Sequence, residues 1–153
     1  MAKSVARLTH ASDVILCISL LAFFSCVGGC SRVPRIEIER QEARLSSVFL
    51  GVCSIFMKIE NQGNGDDTLL GARVDIPGTI TELHDVKDGR MVKKEKISIP
   101  SGSVVELRPG GAHIMVFKMP PDMRESQEFT VRLAFEKSGE KRVPVSLVKA
   151  RDR

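Results

Sequence analysis

Val104-Val-Glu-Leu-Arg-Pro-Gly-Gly-Ala-His-Ile-Met-Val-Phe-Lys118 holds two short β-type runs on either side of a turn. Pro109 fixes its own φ and has no N–H to give a ladder, and Gly110-Gly111 tolerates backbone angles that other residues avoid. Arg108–Ala112 is therefore a connection. The flanks Val104–Leu107 and His113–Lys118 are rich in β-branched and aromatic residues, which favour strands. The same grammar extends in both directions. Upstream stand the alternating run Arg35–Arg40, the long apolar run Val48–Glu60, the turn cluster Asn61–Asp67, and Leu69–Val74. Pro77-Gly78 and Thr79–His84 follow, then a charged hairpin-like stretch Asp85–Arg90, and Ile97–Ile99 before Pro100-Ser-Gly102. Downstream, Phe129–Glu136 and Arg142–Val148 flank Ser138-Gly139, and Pro120–Ser126 is a loop. About nine short strands with turns at this spacing predict an all-β Greek-key sandwich or barrel in one domain.

The chain has 153 residues and a net charge of +4. Its basic residues alternate with acids, as in Arg35-Ile-Glu-Ile-Glu-Arg40 and Lys93-Lys-Glu-Lys96, the pattern of solvated strand faces. There is no Trp and no Tyr, which argues against stacking platforms for nucleic acid and aromatic-lined sugar sites. No nucleic-acid partner is expected.

Residues 1–29 have the layout of an export signal. Lys3 and Arg7 precede the apolar run Val14–Val27, whose 14 residues are short for a membrane-crossing helix and suit a signal core. Val27-Gly28-Gly29-Cys30 resembles the bacterial lipobox, in which the cysteine thiol is alkylated by a diacylglycerol and becomes the new N-terminus. That resemblance implies lipidation at Cys30 and a periplasmic or otherwise extracytoplasmic protein held on a bacterial membrane. An ordinary signal cleaved nearby, or an uncleaved anchor helix, is the competing reading. Cys17 and Cys26 belong to the leader, so Cys53 alone remains for the folded part and no intramolecular disulfide is possible there. Its apolar neighbours give Cys53 the role of a small buried hydrophobe.

Chemistry has few places to reside. The mature chain keeps two histidines, His84 and His113, and no G-x-S-x-G, C-x-x-C, H-E-x-x-H or phosphate-loop pattern accompanies either. No enzyme activity is expected. His113-Ile-Met115 stands apart. On a strand, residues two apart share a face, so an imidazole and a thioether project together while Ile114 and Val116 enter the other face. That donor pair suits a soft ion, copper(I) first, because Ca²⁺, Mg²⁺ and Mn²⁺ prefer oxygen. Thioether also escapes the disulfide formation that threatens thiolates in an oxidising compartment. His84 ends a predicted strand and Met91 lies beyond a polar turn. Together with His113 and Met115 they would make a set of two histidines and two methionines. Taken alone, His-x-Met is as readily a half-buried histidine beside a core methionine.

The stretch Glu106-Leu-Arg-Pro-Gly-Gly-Ala-His-Ile-Met115 is similar to the signature of the PCuAC family of periplasmic copper chaperones. Further segments resemble the family in order: Ile55-Phe-Met-Lys-Ile-Glu-Asn61, Asp67-Thr-Leu69, Thr81-Glu-Leu-His84, Ile97-Ser-Ile-Pro-Ser-Gly102 and Leu133-Ala-Phe-Glu-Lys-Ser-Gly139. The resemblance covers about residues 48 to 148. It implies a cupredoxin-like fold, copper(I) as cargo, and His84, Met91, His113 and Met115 as ligands. It also implies an acceptor protein for the copper, such as a cytochrome c oxidase subunit with its dinuclear copper centre or another chaperone. Only six residues separate His84 from Met91, so the hairpin between them is about four residues shorter than the family's. Counting the family's spacing from His84 lands on Glu95, which cannot replace a thioether.

The expected organisation is thus a lipoprotein-type signal peptide at 1–29 and an anchor, linker and first strand at 30–46. A PCuAC-like copper-binding β domain at 47–149 and a basic tail at 150–153 follow. Neutral histidines are needed to bind, so affinity is expected to fall below about pH 6.5. Two other functions compete. One is an interaction lipoprotein of the same fold with a weakened or lost metal site. The other is a blue-copper electron carrier, which would need a thiolate beside the histidines, and Cys53 is far from them in sequence.

Overall fold

The computed structural model describes residues 31–148; the leader, Cys30 and the tail from residue 149 lie outside the described residues. Ten strands and no helix make up this part: β1 (Ile36–Leu45), β2 (Val52–Asn61), β3 (Asp67–Val74), β4 (Ile80–Lys87), β5 (Arg90–Lys94), β6 (Ile97–Ile99), β7 (Val104–Leu107), β8 (His113–Phe117), β9 (Glu128–Phe135) and β10 (Gly139–Val148). They form one sheet in the order β5-β4-β8-β2-β1-β10-β9-β3-β6, with β7 paired to β2. The end strands β5 and β6 are joined by Glu95 and Lys96 alone, so the sheet curls back toward itself. β1 runs parallel to β10, and the other pairings among the described strands are antiparallel. Neighbours distant in sequence, such as β8 between β4 and β2, give the Greek-key character expected of a cupredoxin-like fold.

Alternation sets the inside and the outside. Along β2, Cys53, Ile55, Met57, Ile59 and Asn61 face the core, and along β8, Ile114 and Val116 do the same. Leu69, Ile99, Val131, Leu133, Val145 and Leu147 join them from the other strands. Each wholly buried aliphatic side chain contributes about 1.5–3 kcal/mol.

Two buried polar residues knit the end where the chain enters. The side-chain amide of Asn61 donates to the carbonyls of Gly65 (2.8 Å) and Ile99 (3.2 Å), and its oxygen accepts from the amides of Arg35 and Gly63. Gly63 and Gly65 lie so close to the backbone of Arg32–Arg35 that a Cβ on either would collide with it. Asp67 accepts from the amides of Thr68 (2.8 Å), Lys137 (2.9 Å) and Ser138 (3.0 Å). Burial works against its charge, but the donors of Ser138, Lys137 and Thr68 outweigh that and hold its carboxyl below the usual range.

Three expectations need correction. The run Val48–Leu50 was expected in a strand, but β2 begins at Val52 and these three residues sit exposed in the turn before it. Ser46 Oγ accepts from the amides of Val48 (3.2 Å) and Phe49 (3.0 Å), and Gly51 has φ of 70°, so local turn chemistry overrides β propensity. The first strand extends to Leu45 instead of stopping at Arg40. A bulge between Glu39 and Glu42, with Arg40 at φ of 53°, shifts its phase midway and hides the continuation. The charged stretch after His84 carries a tenth strand, β5, which five polar-rich residues did not announce.

Candidate metal centre

β8 is the strand that organises the site. Its own alternation sends Ile114 and Val116 into the core and His113, Met115 and Phe117 to the outer face. β4 lies against it with His84 opposite His113, Glu82 opposite Met115 and Ile80 opposite Phe117. Directly opposed residues in an antiparallel pair share a face. His84, His113, Glu82 and Met115 therefore cluster on one outer patch two rungs deep, with the two imidazole centroids 6.1 Å apart.

This patch is shielded although it lies outside the core. Phe56 of β2 stands 6.1 Å from His113 between ring centroids and is capped by the Arg44 guanidinium at 5.4 Å; Phe117 flanks His84 at 6.2 Å. His113 is 4% exposed and Met115 8%.

The hydrogen bonds fix which ring nitrogens are free. His113 Nδ1 lies 2.8 Å from the carbonyl of Gly111, which can only accept, so Nδ1 carries a proton and Nε2 is the atom that holds the lone pair in the neutral ring. His84 Nε2 lies 2.9 Å from a carboxylate oxygen of Glu82, so there Nε2 carries the proton. Its Nδ1 is buried with no hydrogen-bond partner. In the neutral ring with its proton on Nε2, this atom holds the lone pair. Glu82 is itself anchored by Lys93 at 2.6 Å; the lysine ammonium first, and His84 second, hold its carboxyl below the usual range.

Two imidazoles and a thioether thus share one patch, a set of donor types that fits copper(I). Among the described residues no group of three His, Cys, Asp or Glu side chains is arranged to hold a metal ion. Met91 sits on β5 opposite Val86, while Lys93 takes the position opposite His84. Met91 shares the face of His84 but stands one rung beyond it, on the other side from Met115, and is 54% exposed. Diagonal neighbours of this kind are about 7–8 Å apart between Cα atoms, within reach of a long flexible side chain. Asp88 and Gly89, both with positive φ (50° and 70°), make the tight turn that sets this register.

Cys53 is on the inner face. Burial pushes its thiol up to about 12, although a backbone hydrogen bond at Arg44 works the other way, so no thiolate is available. It faces away from both histidines, which removes the geometry of a blue-copper centre. Glu82, Lys93 and Phe56 were not singled out from the sequence as parts of the site. Glu82 was legible, because it stands two residues before His84 on one strand and so shares its face. Lys93 and Phe56 join through pairings that a single sequence does not display.

The fold itself has close parallels among solved structures. The copper-bound PCuAC domain from PmoF2 matches with a TM-score of 0.64 and 22% identity, covering 77% of this chain and 96% of that one. The apo PCuAC domain from PmoF1 matches with a TM-score of 0.67 and 22% identity, over 77% of this chain and 97% of that one. The solution structure of CuI-DR1885 from Deinococcus radiodurans matches at 0.59 and 16% identity, over 79% and 83%. At these identities the likeness is one of architecture, and the described domain has the PCuAC fold. A curated protein of Leifsonia xyli subsp. xyli, named "Putative lipoprotein", is 28% identical over 103 residues, 64% of this chain and 61% of that protein. The chain thus spans about three fifths of that relative's length. Residues 41–147 match the family model described as "Putative lipoprotein LpqE-like", and the chain belongs to that LpqE-like family.

Proposed function

We propose that this protein is an extracytoplasmic copper(I) carrier, lipid-anchored through Cys30, that delivers its ion to a tighter-binding acceptor. His84, His113 and Met115 form the standing part of the site, and Met91 swings in from β5 as the fourth ligand. The observation that carries this reading is the pair of imidazoles on one rung. One has a buried, partnerless Nδ1, and the other has its Nδ1–H tied to a carbonyl, with a shielded thioether beside them. Two solved structures of this fold, the copper-bound PCuAC domain from PmoF2 and CuI-DR1885, agree with it.

Four neutral donors leave the charge of Cu⁺ uncompensated, so a thiolate acceptor can outbid the site and draw the ion away. The dinuclear copper centre of cytochrome c oxidase is an acceptor of that chemistry.

Metal analysis after anaerobic copper(I) loading tests this. The wild type should retain one copper and the double variant His113→Ala/Met115→Ala none. Equal retention by both would end the proposal. The exposure of Met91 favours one competing reading, a domain of this fold whose metal site has been lost. That reading predicts no retained copper in the wild type.

A further inference from the structure

We infer that Glu82 is a positioning residue that makes His84 bind copper through Nδ1, while His113 binds through Nε2. This rests on the copper reading above. Both oxygens of the Glu82 carboxylate are engaged: Oε2 with His84 Nε2 at 2.9 Å and Oε1 with Lys93 Nζ at 2.6 Å. A carboxylate accepts and does not donate, so the His84 proton is held on Nε2 and the ring cannot present that atom to a metal. The remaining nitrogen, Nδ1, is the buried atom without a partner. His113 is arranged the other way round, with Nδ1–H given to the carbonyl of Gly111 at 2.8 Å.

The two rings face each other across one rung of the β4–β8 pair and are held in opposite tautomers by two different acceptors. Partners of this sort fix ring orientation and raise the basicity of the free nitrogen. Glu82 also stands directly opposite Met115. An unanchored carboxylate there would offer a hard oxygen to Zn²⁺ or copper(II). With one oxygen on Lys93 and the other on His84, it leaves the ion to nitrogen and sulfur.

Nitrogen NMR of the ¹⁵N-histidine-labelled protein, metal-free and loaded with copper(I), decides the matter, because copper(I) is diamagnetic and long-range proton–nitrogen couplings tell the two ring nitrogens apart. Before loading, His84 should show a protonated Nε2. On loading, the coordination shift should fall on Nδ1 of His84 and on Nε2 of His113. Glu82→Ala should lose the fixed His84 tautomer and roughly 10–100-fold in copper(I) affinity. Glu82→Gln, which keeps a neutral acceptor, should recover most of that affinity and the Nδ1 shift. A merely structural Glu82 would lower thermal stability in the alanine variant without changing which nitrogen binds. Copper on Nε2 of His84 in the wild type, or unchanged affinity and binding atom in Glu82→Ala, overturns this inference alone. A wild type that takes up no copper overturns the copper reading and this inference with it. Should Glu82→Ala fail to fold, the wild-type and glutamine spectra still decide.

Discussion

His113 and Ile114 are adjacent and both buried, yet they serve different ends, because the pleat sends one to the outer patch and the other to the core. Their substitutions should therefore separate. Ile114→Ala should cost about 2–5 kcal/mol in urea unfolding of the metal-free protein. The folded fraction of that variant should still take up copper(I). Met115→Ala should lose copper and cost less in unfolding than Ile114→Ala, because Met115 is buried but lies outside the core cluster. If both variants lost stability and copper in parallel, the outer patch would be an extension of the core. Cys53 is the other residue whose face decides its chemistry. With its thiol pushed up to about 12 by burial, it should resist alkylation at pH 8 in the native protein and react once urea unfolds it. Mass mapping of the modified site reads this directly, and rapid native labelling would put Cys53 outside the core.

At the scale of elements, the β4–β5 hairpin and the Asp67 loop carry the clearest consequences. The two-residue turn Asp88-Gly89 fixes Met91 one rung past His84, so its sulfur joins the site by side-chain reach and not by register. Met91→Ala should remove one sulfur from the copper shell and leave both imidazoles in place. Asp67 joins β3 to the β9–β10 connection through three backbone amides. Replacing it with Asn turns one acceptor oxygen into a donor against donors, and should cost about 1–3 kcal/mol. Its carboxyl lies below the ordinary range in the folded state, so the stability it contributes is present above the unfolded carboxyl value of about 3.9. That contribution is lost as pH falls through the lower folded value. Wild-type unfolding free energy should therefore drop on acidification to pH 3, and Asp67→Asn should flatten that dependence. An equally steep dependence in the variant would assign the acid sensitivity to other carboxyls.

Across the whole molecule, what was legible in the sequence followed period and punctuation. Val104–Leu107, the Pro-Gly-Gly turn and His113–Phe117 are strands and connection as their composition demands, and the His113–Met115 alternation carried over unchanged. Where a local device interrupts the period, legibility failed. The bulge at Arg40 hid the second half of β1, Ser46 and Gly51 turned an apolar run into an exposed tip, and a short polar-rich β5 left no apolar stripe to follow. The site is half-visible for a related reason. Residues two apart on one strand announce a shared face, but the approach of β4, β8 and β2 is a matter of long-range pairing. That pairing is what brings His84, His113 and Met115 onto one patch, where we propose that copper(I) binds. X-ray absorption on the copper(I)-loaded protein tests it most directly. The spectrum should show one copper with two imidazole nitrogens and two thioether sulfurs. A copper shell of nitrogen and oxygen with no sulfur would contradict it.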